Sequence, residues 1–411
     1  MKRYSEYKDS GVKWIGEIPG HWNAVSLKRV VKLINEKSNE QNIPYIALEN
    51  IESFTGKILP LNEIEPDSIC NKFKKDDVLF CKLRPYLTKC VSPSFDGKCT
   101  SELLVLRNFN GVANYLKYTL LSPRLVMDIN ASTYGAKMPR ANWNYIGLCR
   151  VPLPPLPEQE AIVTYLDTKV AKIDEYISIA EKKIAALEEL KQSIIAEAVT
   201  RGIHKEVPMK DSGVKWIGMI PEHWKVNKIR SHFKERRVKV SDKDFQALSV
   251  AKIGIVPQLE DACKTDNGDN RKQVLKGDFV VNSRSDRKGS CGISPLDGSV
   301  SLINIVLRPF NILQEYVHYL FRSHNYIEEF YRNGRGIVAD LWTTRYSEMR
   351  NIQIPVPPLY EQQEIVTYLD SKVANINQLC QAERSQIEKL KEYKQRLISD
   401  VVTGKVKVTN D

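Results

Sequence analysis

Two stretches of this chain place apolar residues on alternating steps of four and three. The first carries Leu166, Val170, Ile173, Ile177, Ala180, Ile184, Leu187, Ile194 and Ala198, with Lys191 as its one polar interruption. The second carries Leu369, Val373, Ile376, Cys380, Ile387, Leu390, Leu397 and Val401, interrupted by Glu383 and Lys394. Such a heptad rhythm predicts two long helices, each with a narrow apolar seam. Pro157 near the start of the first, and Gly202 and Gly404 just past the two ends, are the expected bounds. At 1.5 Å per residue, a helix of about 45 residues is a rod of roughly 65 Å. A seam of a and d positions is too narrow to bury in a globular core, but it suits one partner helix. The simplest partner is the other copy. Two helices lying on separate domains, or pairing between molecules, are the alternatives.

Between these stretches the pattern changes. Short β-rich runs such as Val78-Leu79-Phe80 and Phe279-Val280-Val281 are separated by turn residues, which predicts strands. "NYLKYTLLSPRLVMDI" and "EYVHYLFRSHNYIEEFY" each read as one short amphipathic helix. The fold class is therefore mixed, α/β (α+β): globular blocks accompanied by two long helices.

The chain also repeats itself. "KDSGVKWIGEIPGHW" from Lys8 returns as "KDSGVKWIGMIPEHW" from Lys210, and "PPLPEQEAIVTYLDTKVAKID" from Pro154 returns as "PPLYEQQEIVTYLDSKVANIN" from Pro357. Inside the divergent blocks, Asp96-Gly97 with Arg107 answers Asp297-Gly298 with Arg308, and Tyr115 to Tyr118 answers Tyr316 to Tyr319. Two copies of one scaffold differ in content, which is a duplication and not a solenoid. Expected boundaries are 1–153 and 203–356 for the globular blocks, and 154–202 and 357–411 for the helices. With 411 residues the chain is long enough for two or three domains.

Charge sharpens this picture. The net +11 resides in two separate blocks, 1–150 and 201–350, while 151–200 is acidic and 351–411 balanced. Basic blocks attract polyanions, and nucleic acid leads the list of partners. Matched basic loops sit where the copies disagree: "CKLRPYLTK" with Lys82, Arg84, Tyr86 and Lys89 against "NSRSDRKGS" with Arg284, Arg287 and Lys288. "YGAKMPRANW" adds Lys137, Arg140 and Trp143, and "NGRGIVADLWTTR" adds Arg335, Trp342 and Arg345. Arginine can grip O6 and N7 of guanine with two hydrogen bonds, and lysine mostly anchors phosphate. Gly135, Gly334 and Gly336 would let these loops approach a backbone closely.

Enzyme chemistry leaves no comparable trace. No phosphate loop, no G-x-G-x-x-G after a strand, no H-E-x-x-H, no zinc-deaminase pattern and no Asn/Asp-Pro-Pro-aromatic methyltransferase loop is found. The eight cysteines form no C-x-x-C and read as free buried thiols, with Cys90 and Cys291 on a shared strand. His21 and His223 each precede a tryptophan, but no repeated carboxylate or serine is obvious as a catalytic partner, so packing is the expected role. No metal or cofactor is expected in this chain. Polar opening residues and the lack of a long apolar run give the expectation of a cytoplasmic protein.

Two divergent blocks, each opening with "KWIGEIPGHW" or "KWIGMIPEHW" and closing with a Pro-Pro-x-x-Glu-Gln helix, resemble the specificity subunit of type I restriction-modification systems. "PYIALENIESFTGKI" (44–58) is similar to a segment frequent in target recognition domains of that family, and "ALSVAKIGIVPQ" (247–258) to a less regular version. The resemblance implies two pseudo-twofold-related target recognition domains, each reading one half of a split double-stranded DNA target, separated by two antiparallel coiled-coil helices. It also implies two docked modification subunits that methylate adenine with S-adenosylmethionine, joined by restriction subunits using ATP and Mg for cleavage. A coiled-coil protein that binds polyanions without sequence preference, and a nuclease or methylase in its own right, are the competing readings.

Overall fold

The computed structural model describes residues 2–61, 69–258, 268–336 and 342–408. Cys263 and residues 337–341 of the second glycine-containing loop lie outside them. The chain folds as two compact units, residues 1–181 with 384–411 and residues 182–383. Each unit joins one globular block to one half of each long helix.

In the first unit an antiparallel sheet runs in the order Lys32–Ile34, Leu103–Arg107, Val78–Cys81, Cys90–Val91. A second sheet is ordered Lys37–Ser38, Cys70–Phe73, Gly97–Cys99, Tyr45–Ile46. Their apolar faces meet around Ile46, Phe73, Leu79, Val91, Leu103 and Val105. The second unit repeats the first sheet as Phe233–Glu235, Asn304–Pro309, Phe279–Asn282, Cys291–Ile293. Its partner sheet has three described strands, Lys239–Val240, Arg271–Val274 and Gly298–Ser301. The expected strands are present, and Cys90 and Cys291 lie on equivalent edge strands, buried like the other described cysteines.

The repeated Asp-Gly has a structural cause. Asp96 Oδ1 accepts from the Lys75 amide at 2.7 Å, and Asp297 Oδ1 from the Lys276 amide at 2.6 Å. A Cβ on Gly97 would stand 2.5 Å from the Pro44 carbonyl, and one on Gly298 2.6 Å from that of Gln246. Only glycine lets the neighbouring strand pass there.

The long helices are continuous over Leu156–Arg201 (the central helix) and Leu359–Val402 (the C-terminal helix). In the second unit the Lys183 ammonium meets Glu383 at 2.5 Å, and Lys191 donates to Asn377 at 3.2 Å. As numbering rises on one helix it falls on the other, so the pair is antiparallel. In the first unit Lys394 reaches across to Asp174 at 2.7 Å. The polar interruptions of the seam are thus paired across it.

Leu166, Val170, Ile173, Ile177, Leu369, Ile376, Ile387 and Leu397 are buried, and Ile184, Leu187, Val373 and Leu390 half-buried. One expectation shifts by a residue: Ile195, not Ile194, is fully buried. There the helix also packs on its globular block, with Ala198 and Val199 in the same core, so its buried face widens beyond the seam.

The two amphipathic stretches are each two helices rather than one. Ala113–Leu120 is followed by Pro123–Ala131. Pro123 disfavours a helical residue before it, and Ser122 is extended at φ −64°, ψ 122°. In the second unit Gln314–Arg322 gives way to His324–Arg332 without a proline. Extended Ser323 makes the break, and its hydroxyl caps the preceding helix by donating to the Leu320 carbonyl at 2.7 Å.

Candidate nucleic-acid interface

The repeated phrases form the frame that holds the loops. In the first unit Glu158, in the first turn of the central helix, accepts from Trp22 Nε1 at 3.1 Å and from the Tyr4 hydroxyl at 2.8 Å, and lies 2.5 Å from His21 Nε2. In the second unit Glu361 accepts from Trp224 Nε1 at 2.8 Å and meets His223 Nε2 at 2.5 Å. A repeated carboxylate therefore does exist, contrary to the sequence-based expectation. It is carried by the other repeated phrase, well over a hundred residues away, where no local spacing marks it. Both tryptophans are fully buried, whereas the His21 and His223 side chains are about half exposed. Burial pushes the Glu361 carboxyl up, but hydrogen bonds from Trp224, His223 and Tyr360 outweigh it and hold the group below its ordinary range.

The glutamine beside each glutamate completes the clamp. Gln159 accepts from the Val112 amide and donates to the Pro154 carbonyl, and Gln362 does the same with Leu313 and Pro357. Tyr118 and Tyr319 donate to Asp167 and Asp370, each at 2.6 Å. Gly404 and Gly202, at φ +74° and +77°, bring the ends of the long helices against Trp22 and Trp224. Every repeated residue named here serves to seat a block on its helices.

On that frame the divergent loops come together. In the first unit the Arg84 amide donates to the Pro139 carbonyl at 2.7 Å and the Ala141 amide to the Lys82 carbonyl at 2.9 Å. In the second unit Ser285 donates to Trp342 at 2.9 Å and Thr344 to Ser283 at 3.0 Å. Each unit thus presents one composite surface, made from the loop after a central strand and the loop before a short helix, Trp143–Ile146 or Tyr346–Met349.

Side chains on the two surfaces differ. In the first, Arg84 is held in a left-handed conformation, φ 49° and ψ 61°, rare for a non-glycine residue and sustained by the bonded loops on both sides. Tyr86 is 46% exposed beside it. Arg140 is engaged by Glu102 through Nε and Nη2 at 3.1–3.3 Å, and Lys89 donates to the Leu48 carbonyl at 2.6 Å. Trp143 is half-buried at the start of its helix. In the second, Arg284 lies 2.9 Å and Arg287 3.6 Å from Asp286, Lys288 3.0 Å from Glu328, and Arg335 3.8 Å from Glu348. Among the described residues, Lys82, Arg84, Lys137 and Arg345 meet no carboxylate partner. Trp342 is exposed enough to stack on a base.

Residues overlooked in the sequence are Tyr134, the most exposed aromatic of the first surface, and the acids Glu102 and Asp286 that hold the arginines. Tyr134 precedes Gly135, so an aromatic–glycine pair was the available signal. Nothing local marks Glu102 as a partner of Arg140. No described helix is long and apolar enough to cross a membrane.

Comparison with known proteins follows the same lines. Residues 225–389 match the family model described as type I restriction modification DNA specificity domain. The chain is 26% identical over 438 aligned residues to a putative type I restriction enzyme MjaX specificity subunit of Methanocaldococcus jannaschii, covering 98% of each. It is 26% identical over 192 residues to the EcoDI specificity subunit of Escherichia coli, a match spanning 45% of this chain and 43% of that one. A chain solved in work on complex assembly and conformational transition of the type I R-M system shares the fold at TM-score 0.71 and 18% identity, covering 94% of this chain and 98% of that one. The HsdS subunit of Thermoanaerobacter tengcongensis does so at TM-score 0.51 and 20% identity, covering 95% and 98%. In its matched domain, its full-length relative and its duplicated fold, this chain is similar to the specificity subunits of type I restriction-modification systems.

Proposed function

We propose that the chain reads a bipartite, asymmetric DNA sequence without doing chemistry itself. Each composite loop surface contacts one half-site, and the paired helices set the spacer and carry two adenine-modifying subunits that use S-adenosylmethionine. Restriction subunits driven by ATP with Mg join the same assembly. The observation that carries this reading is the union of two divergent basic loops on a similarly clamped frame in each unit. Like frames with different loop side chains suit one mode of docking and two different base readouts.

Readout in this scheme belongs to Arg84 and Arg284, with Tyr86 and Trp342 available for stacking. Lys82, Lys137 and Arg345, with no recorded ion pair, suit phosphate. Arg140, Arg287, Lys288 and Arg335 must exchange a carboxylate for DNA, and Lys89 a backbone carbonyl. A bidentate arginine–guanine contact discriminates by about 1–3 kcal/mol, so a few contacts per surface give useful specificity. The test is co-expression with the cognate modification subunit and genome-wide adenine-methylation mapping. A split motif with two unlike halves is expected; methylation without sequence preference would overturn the reading.

A further inference from the structure

Phe54, Arg84 and Thr88 are the only described residues other than asparagine, aspartate and glycine that stand in the left-handed region, at φ 66°, 49° and 50°. Such a backbone is unfavourable for an aromatic or β-branched residue and persists only where its surroundings hold it. Here the strained positions hold one another. The Thr88 amide donates to the Pro85 carbonyl at 2.8 Å, closing the turn that carries Tyr86, and the Thr88 carbonyl accepts from the Phe54 amide at 3.1 Å. Thr88 is buried, and Lys89 beside it donates to the Leu48 carbonyl at 2.6 Å, a second bond between the Arg84 loop and the 47–58 segment.

From Phe54 the segment turns at once towards the helices. The Glu52 amide donates to the Lys57 carbonyl at 3.1 Å and the Lys57 amide to Thr55 Oγ1 at 3.2 Å, so residues 52–57 form a closed turn. Gly56, at φ +73°, lies so near the end of helix Ala113–Leu120 that a Cβ would stand 2.9 Å from Leu121 Cδ1. Lys57 leaves the turn to meet Asp174 of the central helix at 2.7 Å, the same carboxylate that Lys394 of the C-terminal helix holds. An unbroken run of bonds thus joins the helix pair to the strained loop. In the second unit the matching segment is the hairpin Leu248–Ala251 and Gly254–Pro257, whose Lys252 carbonyl is held by Arg322 of the block itself. There Arg284 has an ordinary extended backbone, φ −83°.

We infer that Lys57 is a positioning residue of the first unit: through the 52–57 turn and the bond from Phe54 to Thr88 it sets where the Arg84 loop stands relative to the helix pair. This rests on the DNA-reading function proposed above, and it gives Lys57 no contact of its own with a base or a phosphate. An arginine that donates two hydrogen bonds to one base edge tolerates a misplacement of only about 0.5 Å. The Lys57 side chain is half in solvent, so its ion pair adds little to the stability of the fold. Its consequence is geometric, and it belongs to the first unit alone.

The test uses the full-length chain co-expressed with its modification subunits and reads adenine methylation across single-base variants of the motif. Lys57→Ala should lower base preference about tenfold in the half of the motif that residues 40–140 dictate, while the other half and the spacer stay as they were. Lys57→Arg, which keeps the cation on a long stem, should restore it. Adding Lys57→Ala to Arg84→Ala should lower that preference no further, because a positioning residue acts only through the group it positions. Unaltered preference in Lys57→Ala, equal weakening on every sequence, no recovery with Lys57→Arg, or a further loss in the double variant would each overturn the inference. Methylation by the unmodified protein without a split motif is a separate result, and would sink the DNA-reading function instead.

Discussion

Lys394 and Asp174 stand 2.7 Å apart across the helix pair of the first unit, both largely buried at a seam whose other positions are mostly apolar. Lys57, from the "ALENIESFTGK" segment of the reading block, meets the other carboxylate oxygen at 2.7 Å. One side chain therefore ties both helices to the block. In the second unit the corresponding positions are Lys191 and Asn377, a neutral partner at a longer 3.2 Å. The two units are built alike and fastened differently.

Removing one member of a buried pair leaves the other charge uncompensated, at a cost of about 3–5 kcal/mol. Asp174→Ala is expected to lower the stability of the first unit by an amount near the bottom of that range, because Lys57 is half in solvent. Lys183→Ala, at an exposed pair, should cost less than about 1 kcal/mol. Hydrogen exchange along 165–181 and 384–400 distinguishes them, and equal protection in both variants would contradict the assignment.

The Glu361 clamp titrates with a definite sign. A carboxyl whose folded pKa is depressed stabilises the fold above its unfolded value, and that contribution is lost as pH falls through the folded one. Acid exposure should therefore loosen the seating of the second block on its helix before the sheets open. Glu361→Ala, which leaves Trp224 Nε1 without its acceptor, should cost about 2 kcal/mol while leaving base preference intact. A changed methylation motif in that variant would mean that the clamp takes part in readout.

His318 runs in a related direction. Its imidazole is pushed from 6.5 to about 4 by burial and by neighbouring Arg322, against the opposing effect of Asp370. The unfolded chain then binds the proton more readily, so stability of the second unit declines as pH drops from 6.5 towards 4, by at most about 3 kcal/mol. His318→Gln should flatten that window in hydrogen exchange measured over 314–332. An unchanged slope would show that another group titrates there.

Among the arginines, pairing separates two expectations. Arg84→Ala removes a cation with no recorded carboxylate partner and should relax one base position by about 1–3 kcal/mol. Arg140→Ala frees Glu102 and should mainly disturb the loop, weakening target and random duplex alike. Competition binding with single-base variants of the target reads the difference; uniform weakening by Arg84→Ala would reassign it to phosphate.

Much of this was legible in the chain. The heptad steps at Leu166 to Ile177 and Leu369 to Ile376 gave both helices because a 3.5-residue period has few other uses, and the repeats located the frame. The carboxylate that seats Trp22 and Trp224 was missed because Glu158 and Glu361 are far from them in sequence, and pairing at that distance has no local period. The break at Ser323 was missed for lack of a proline. The state of the loop arginines depends on Glu102, Asp286 and Glu328, neighbours set by the fold and not by spacing.

The central claim is modular readout, and exchange of residues 40–140 for the corresponding block of a relative, followed by genome-wide adenine-methylation mapping, tests it most directly. One half of the motif should change while the other half and the spacer stay as they were. A motif altered in both halves, or in neither, would contradict the account.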